Sequence, residues 1–166
     1  MQEAEFDAFY DQAYPRLVRQ LAALIGDVVE AQDCVQEAFV RAWSNRGKLD
    51  ASEHPEAWVR TTAYRLAVSR WRRTVRSRRT PDRALQQVGY ARGPSEDHVA
   101  LVAALQQLPA AQRRVLVLHH LADLPVREVA REVGVAEGTV KAHLSRGRAA
   151  LAALLAQPVN TGGTDV

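Results

Sequence analysis

Cysteine is nearly absent from this chain. Cys34 is the only one among 166 residues, which excludes an internal disulfide and is compatible with a reducing cytoplasm. No apolar run approaches the ~20 residues of a membrane span, so no membrane insertion is expected. The N-terminus is acidic and amphipathic, which does not fit a signal peptide. There is no glycine-rich phosphate loop and no nucleophile elbow. His119, His120 and Asp123 are the nearest approach to a metal cluster, but adjacent histidines on a helix point to different sides. No catalytic residue, metal site or cofactor is expected, and the chain does not read as an enzyme. Acid is missing altogether from residues 57–81.

What is present is a charge gradient. The net charge of +3 hides three blocks. Residues 1–56 carry eleven acids and five bases, residues 57–92 ten bases and one acid, and residues 93–166 seven of each. Such asymmetry points to one surface for a protein and another for nucleic acid. Hydrophobic residues at 47% and charged residues at 25% are enough for a core folded in water.

The most specific stretch is residues 126–148, VREVAREVGVAEGTVKAHLSRGR. Val126, Val129, Ala130 and Val133 share one helical face, and Gly134 supplies the positive φ needed where that helix ends. Val140, Leu144 and Leu151 carry an apolar stripe along a second helix, with Thr139, Lys141, His143, Arg146 and Arg148 opposite. This is a helix-turn-helix, whose second helix enters the DNA major groove. Ala136 stands where Ser or Asp would cap that helix better.

From the start of the chain, Phe6, Phe9, Tyr10, Ala13, Tyr14, Leu17, Val18, Leu21, Leu24 and Ile25 keep helical spacing, with Pro15 as a kink or break. Asp27 and Glu30 start a second helix that runs to about Trp43. Ala31, Val35, Ala38, Phe39 and Ala42 form its inner stripe. Residues 45–52 read as a loop. A third helix begins near Pro55, with Trp58, Thr62, Leu66 and Trp71 as its expected inward face. Arg60, Arg65, Arg70, Arg72, Arg73, Arg76, Arg78 and Arg79 crowd the rest and call for a phosphate or partner to neutralise them. Trp58, Tyr64 and Trp71 lie among these arginines, a mixture suited to single-stranded nucleic acid. Residues 80–97 read as a linker. Val99, Val102, Leu105 and Leu108 then line one helix, and Val115, Leu116 and Leu118 another. Past residue 157 the polar, Gly-rich composition predicts disorder.

DCVQEAFVRAW (residues 33–43), HPEAWVRTTAYRLAVSRWRR (54–73) and residues 108–148, in that order, resemble the extracytoplasmic-function (ECF) sigma factors of bacterial RNA polymerase. The resemblance implies an all-α chain of two small helical domains. Residues 1–79 would be region 2-like, 80–97 the flexible linker, 98–157 region 4-like and 158–166 a disordered tail. It implies an alternative sigma factor acting in promoter recognition, promoter melting and transcription initiation. Its implied partners are core RNA polymerase, through the clamp of the largest subunit, promoter DNA and an anti-sigma factor.

By motif position, Asp33, Gln36, Glu37, Phe39, Val40 and Trp43 would bind the polymerase. Phe39→Ala or Trp43→Ala would then weaken polymerase binding and leave the fold largely intact. Arg60, Thr61, Tyr64, Arg65, Ser69, Arg72 and Arg73 would bind the minus-ten element. Thr139, Lys141, Ala142, Ser145, Arg146 and Arg148 would bind the minus-thirty-five element. Many family members have Asn where Arg65 stands, Asp or Asn where Ser69 stands, and Ser where Ala142 stands. The other reading of residues 126–148 is a LuxR-type regulator that binds duplex operators on its own.

Overall fold

The computed structural model describes residues 1–77 and 95–157. The predicted linker lies mostly, and the predicted tail wholly, outside the described residues, as do Arg78 and Arg79. Eight α-helices and one π-helical segment, with no strand among the described residues, form the expected all-α architecture.

Helix α1 spans Glu3–Ile25, and the Gln2 backbone N–H at its start donates to the Glu5 carboxylate at 2.9 Å. It is one continuous helix: Pro15 lies on the exposed side, where the carbonyl it leaves unbonded meets water. Gly26, at φ 74°, ends it. Helix α2, Val28–Ser44, starts on Asp27, whose carboxylate accepts the Glu30 N–H at 3.0 Å. The stretch 45–52, expected as a loop, contains a helical turn, α3, Arg46–Asp50. Leu49, only 1% exposed, anchors that turn in the core.

Helix α4, Pro55–Arg76, corrects the expected inward face. Its buried side chains are Val59, Arg60, Ala63 and Ala67, one position on from the expected Trp58, Thr62 and Leu66, which are half-buried. Trp71 is 65% exposed. The reason is spatial: α4 crosses α2 closely, and the small side chains of Ala63 and Ala67 permit an approach that bulky ones would prevent.

The second unit comprises α5 (Glu96–Gln106), α6 (Ala110–Leu116), α7 (Val126–Val133) and α8 (Glu137–Ala156). The Ser95 hydroxyl accepts the His98 N–H at 3.2 Å at the start of α5. Ala104, Leu105 and Leu108 are buried, whereas Val99, expected on the same inner face, is exposed because the first turns of α5 run past the packed helices. Helix α6 runs directly into the π-helical segment Val117–Leu121. Gly147 lets α8 meet α6: a Cβ there would stand 2.9 Å from a Leu116 methyl carbon. The two units share one hydrophobic core, because α1 packs against α5 and against the π-helical segment as well as against α2 and α4.

Candidate nucleic-acid and protein interfaces

Helix α2 turns its small and apolar side inward and leaves Asp33, Gln36 and Val40 exposed, with Val40 at 61%. Glu37 lies half-buried beside them and pairs with Arg41 at 3.2 Å. Phe39 departs from the expected docking set. It is 3% exposed, and its ring meets those of Phe6, Phe9, Tyr10 and Tyr14 at centroid distances of 6.2, 5.6, 4.9 and 6.5 Å. The helical period that places Val35, Ala38 and Ala42 inward carries Phe39 with them, so this aromatic builds the core. Trp43 is half-buried, edge-on to Phe6 at 5.0 Å, with the Arg46 guanidinium 4.3 Å above its ring.

Beneath this surface Cys34 is fully buried, with its Sγ 3.7 Å from Glu30 Oε1. Burial pushes its thiol up to about 12, with Glu30 adding to the effect and Arg70 opposing it. Alkylation of Cys34 in the folded chain at pH 8 should therefore be much slower than in denaturant. Equal rates, read by mass spectrometry, would show the thiol to be accessible.

On α4, Arg65, Ser69, Trp71, Arg72, Arg73 and Arg76 are exposed, and Thr61 is half-buried. With no acid on α4 beyond Glu56, these guanidiniums give the outer surface of its C-terminal half one sign of charge. Arg70 is pinned to Glu30 at 3.3 Å. Two members of the expected minus-ten set are engaged by the second unit. The Arg60 guanidinium donates to both carboxylate oxygens of Glu132 on α7, at 2.8 and 3.1 Å, and to Gln20 Oε1 on α1 at 3.3 Å. Tyr64 lies under the Arg114 guanidinium of α6, 4.2 Å from the ring centroid. Burial lowers the pKa of Arg114 from its ordinary value, with Tyr64 and Glu132 opposing that shift.

Helices α7 and α8 form the expected helix-turn-helix. Val129, Ala130, Val140 and Leu144 are buried between them and the core, and Gly134, at φ 76° and ψ 35°, makes the turn. Ala136 starts α8 without a side-chain hydrogen bond. Thr139, Lys141, Ser145, Arg146 and Arg148 are exposed, and Ala142 is half-exposed. His143, read from sequence as part of the outer face, is half-buried, and its Nδ1 is buried with no hydrogen-bond partner among the described residues. The Arg148 Nε–H donates to His120 Nε2 at 3.1 Å. Burial, then Arg148 and His119, lower the pKa of His120. No group of three metal-ligating side chains occurs among the described residues.

Glu132, Gln20 and Arg114 were not visible as site residues in the sequence. Each acts through a contact between segments 40 or more residues apart, for which a single sequence carries no signal.

Two families match the chain in this order: Sigma-70 region 2 over residues 9–77 and Sigma-70, region 4 over residues 98–151. The ECF RNA polymerase sigma factor SigM of Mycobacterium tuberculosis is 32% identical over 157 residues, 92% of this chain and 80% of the relative. SigL of the same organism is 30% identical over 143 residues, 82% and 81% of the two chains. The sigma factor RpoE, solved in complex with the anti-sigma factor NepR from Bartonella quintana, superposes with a TM-score of 0.77 at 25% identity. That match covers 91% of this chain and 96% of RpoE.

Proposed function

The chain belongs to the ECF sigma factors of RNA polymerase, and from that membership we propose which of its surfaces carries each step of initiation. It is an alternative sigma factor directing transcription initiation. We assign residues 1–79 to polymerase and minus-ten binding, 80–97 to the linker and 98–157 to minus-thirty-five binding.

Core polymerase docks on α2 through Asp33, Gln36, Glu37, Val40 and Trp43. An exposed valine flanked by acids and a half-buried tryptophan is the composition of a docking patch, an apolar centre inside a polar rim. The outer side of α4, with the half-buried Thr61 and the exposed Arg65, Ser69, Arg72 and Arg73, takes the minus-ten element. Its guanidiniums neutralise phosphates, and the exposed Trp71 offers a stacking platform for a base freed from the duplex. Capturing that base offsets the few kcal/mol of unstacking without ATP. Helix α8 reads the minus-thirty-five element with Thr139, Lys141, Ala142, Ser145, Arg146 and Arg148. A separate anti-sigma protein is the proposed inhibitor, by similarity to RpoE, which was solved bound to one.

The observation that carries this assignment is the coexistence on one chain of an acidic and apolar α2 face, a basic α4 face and an exposed recognition helix. A LuxR-type regulator uses only the last of these, and no observation favours that reading.

The test is binding to bacterial core RNA polymerase followed by run-off transcription from a promoter library. One-to-one binding with new start sites is the expected result. Val40→Asp should weaken core binding by roughly tenfold or more, since it places a charge in the centre of the patch, with thermal unfolding unchanged. Unaltered affinity would move the docking surface elsewhere. Arg146→Ala should weaken upstream-element recognition by about 1–3 kcal/mol while core binding persists. An unchanged promoter footprint would remove Arg146 from the reading set.

A further inference from the structure

The contacts between the two units are specific and polar as well as apolar. Arg60 and Glu132 form a forked ion pair whose side chains are only 9% and 7% exposed, with Gln20 completing the guanidinium's partners. Arg114 covers Tyr64. Arg131 of α7 lies 3.0 Å from His54 Nε2 at the start of α4. At the far end of the interface the Gln106 amide donates to the Ala23 carbonyl at 2.8 Å, and Arg113 donates to the Leu24 carbonyl at 3.0 Å. The last turn of α1 has no basic residue of its own, so side chains from the second unit satisfy its open carbonyls.

We infer that the Arg60–Glu132 pair is the latch of a closed, self-masked state, in which the α7 carboxylate occupies the arginine fork that promoter phosphate takes in the working holoenzyme. The inference rests on the assignment of α4 to the minus-ten element. A guanidinium fork suits a carboxylate and a phosphate equally well, because both present two oxygens in one plane to parallel N–H donors. While Glu132 holds that fork, Arg60 is buried and unavailable to DNA. Tyr64 is likewise covered by a cation that belongs to the second unit. Promoter engagement by this part of α4 therefore requires the units to part. Only the parted fraction of free chains is competent, and the apparent affinity for any partner of the open form is reduced by that fraction.

The test uses the full chain. Glu132→Gln keeps the shape and removes the charge, leaving Arg60 buried without a counter-ion in the closed form. Small-angle X-ray scattering should show this variant expanded relative to the unaltered chain, with helix content by circular dichroism unchanged. Its affinity for a single-stranded DNA oligonucleotide should rise roughly tenfold, because Arg60 and Tyr64 become available. The charge-swapped double variant Arg60→Glu with Glu132→Arg should return to the compact form, which a general loss of packing would not do. A Glu132→Gln chain that stays compact would overturn the latch, and so would one that expands with no change in its affinity for the oligonucleotide. Should Glu132→Gln lose helix content, the double variant alone decides by whether it scatters as the compact form. If the unaltered chain fails to bind core polymerase at all, the surface assignment above falls, and compaction in the two variants still decides whether the pair is the latch.

Discussion

Phe39→Ala will destabilise the chain by about 3–5 kcal/mol, the usual cost of emptying a fully packed aromatic site. That corresponds to a fall in the thermal midpoint of roughly 10 °C in a domain of this size. The ring is enclosed by Phe6, Phe9, Tyr10 and Tyr14, all from α1, which cannot collapse into the space without shifting the whole helix against α2. Any loss of polymerase binding in this variant will follow from that unfolding, whereas in Val40→Asp it will not. Thermal denaturation followed by circular dichroism separates the two. A midpoint within a degree or two of the unaltered chain would mean that Phe39 is not the packed residue described here.

Arg113→Ala will cost about 3 kcal/mol, because one half-buried guanidinium serves four backbone carbonyls. It donates to Leu105 at 2.9 Å, Gln106 at 3.2 Å, Leu108 at 2.9 Å and Leu24 at 3.0 Å. Leu105 and Gln106 end α5, Leu108 lies in the turn between α5 and α6, and Leu24 is near the end of α1. Truncation removes a donor from all four carbonyls, of which only Leu105 keeps another, the Leu108 N–H at 3.1 Å, and it loosens both the turn and the joint between the units. Burial lowers the pKa of Arg113, but no neutral side chain reproduces its fork, so Arg113→Lys should recover only part of the loss. Equilibrium urea unfolding of the three chains measures this. Arg113→Lys matching the unaltered chain would show that a point charge suffices and that the multiple carbonyl contacts contribute little.

Much of this molecule is legible from its residues in order. The apolar spacing of α1 is sustained through Leu17, Leu21 and Leu24, and those side chains are buried. Asp27 caps α2 and Gly134 turns α7 into α8, because a short acidic side chain and a residue free to take positive φ solve local problems that recur wherever a helix starts or ends. The exposed set on α8 follows directly from the period of Val140, Leu144 and the residues between them.

The misread positions share a physical origin. On α4, bulk suggested that Trp58 and Trp71 faced inward, but the space beside α2 admits alanines, and Trp71 stands in solvent. Leu49 turned a polar stretch into a helical turn by reaching the core. Phe39 looked like a docking aromatic by motif, and its neighbours on α1 claimed it.

The order of helices, their caps, the helix-turn-helix and the separation of acid from base were thus determined by the sequence alone, since each depends on residues within one or two turns of each other. The burial of Arg60 under Glu132, 72 residues away, and the closure of α1 by Gln106 and Arg113 were decided only by the tertiary structure. Those contacts exist because folding brings distant polar groups together out of water, where each must find a partner, and nothing in the local sequence says which partner that is.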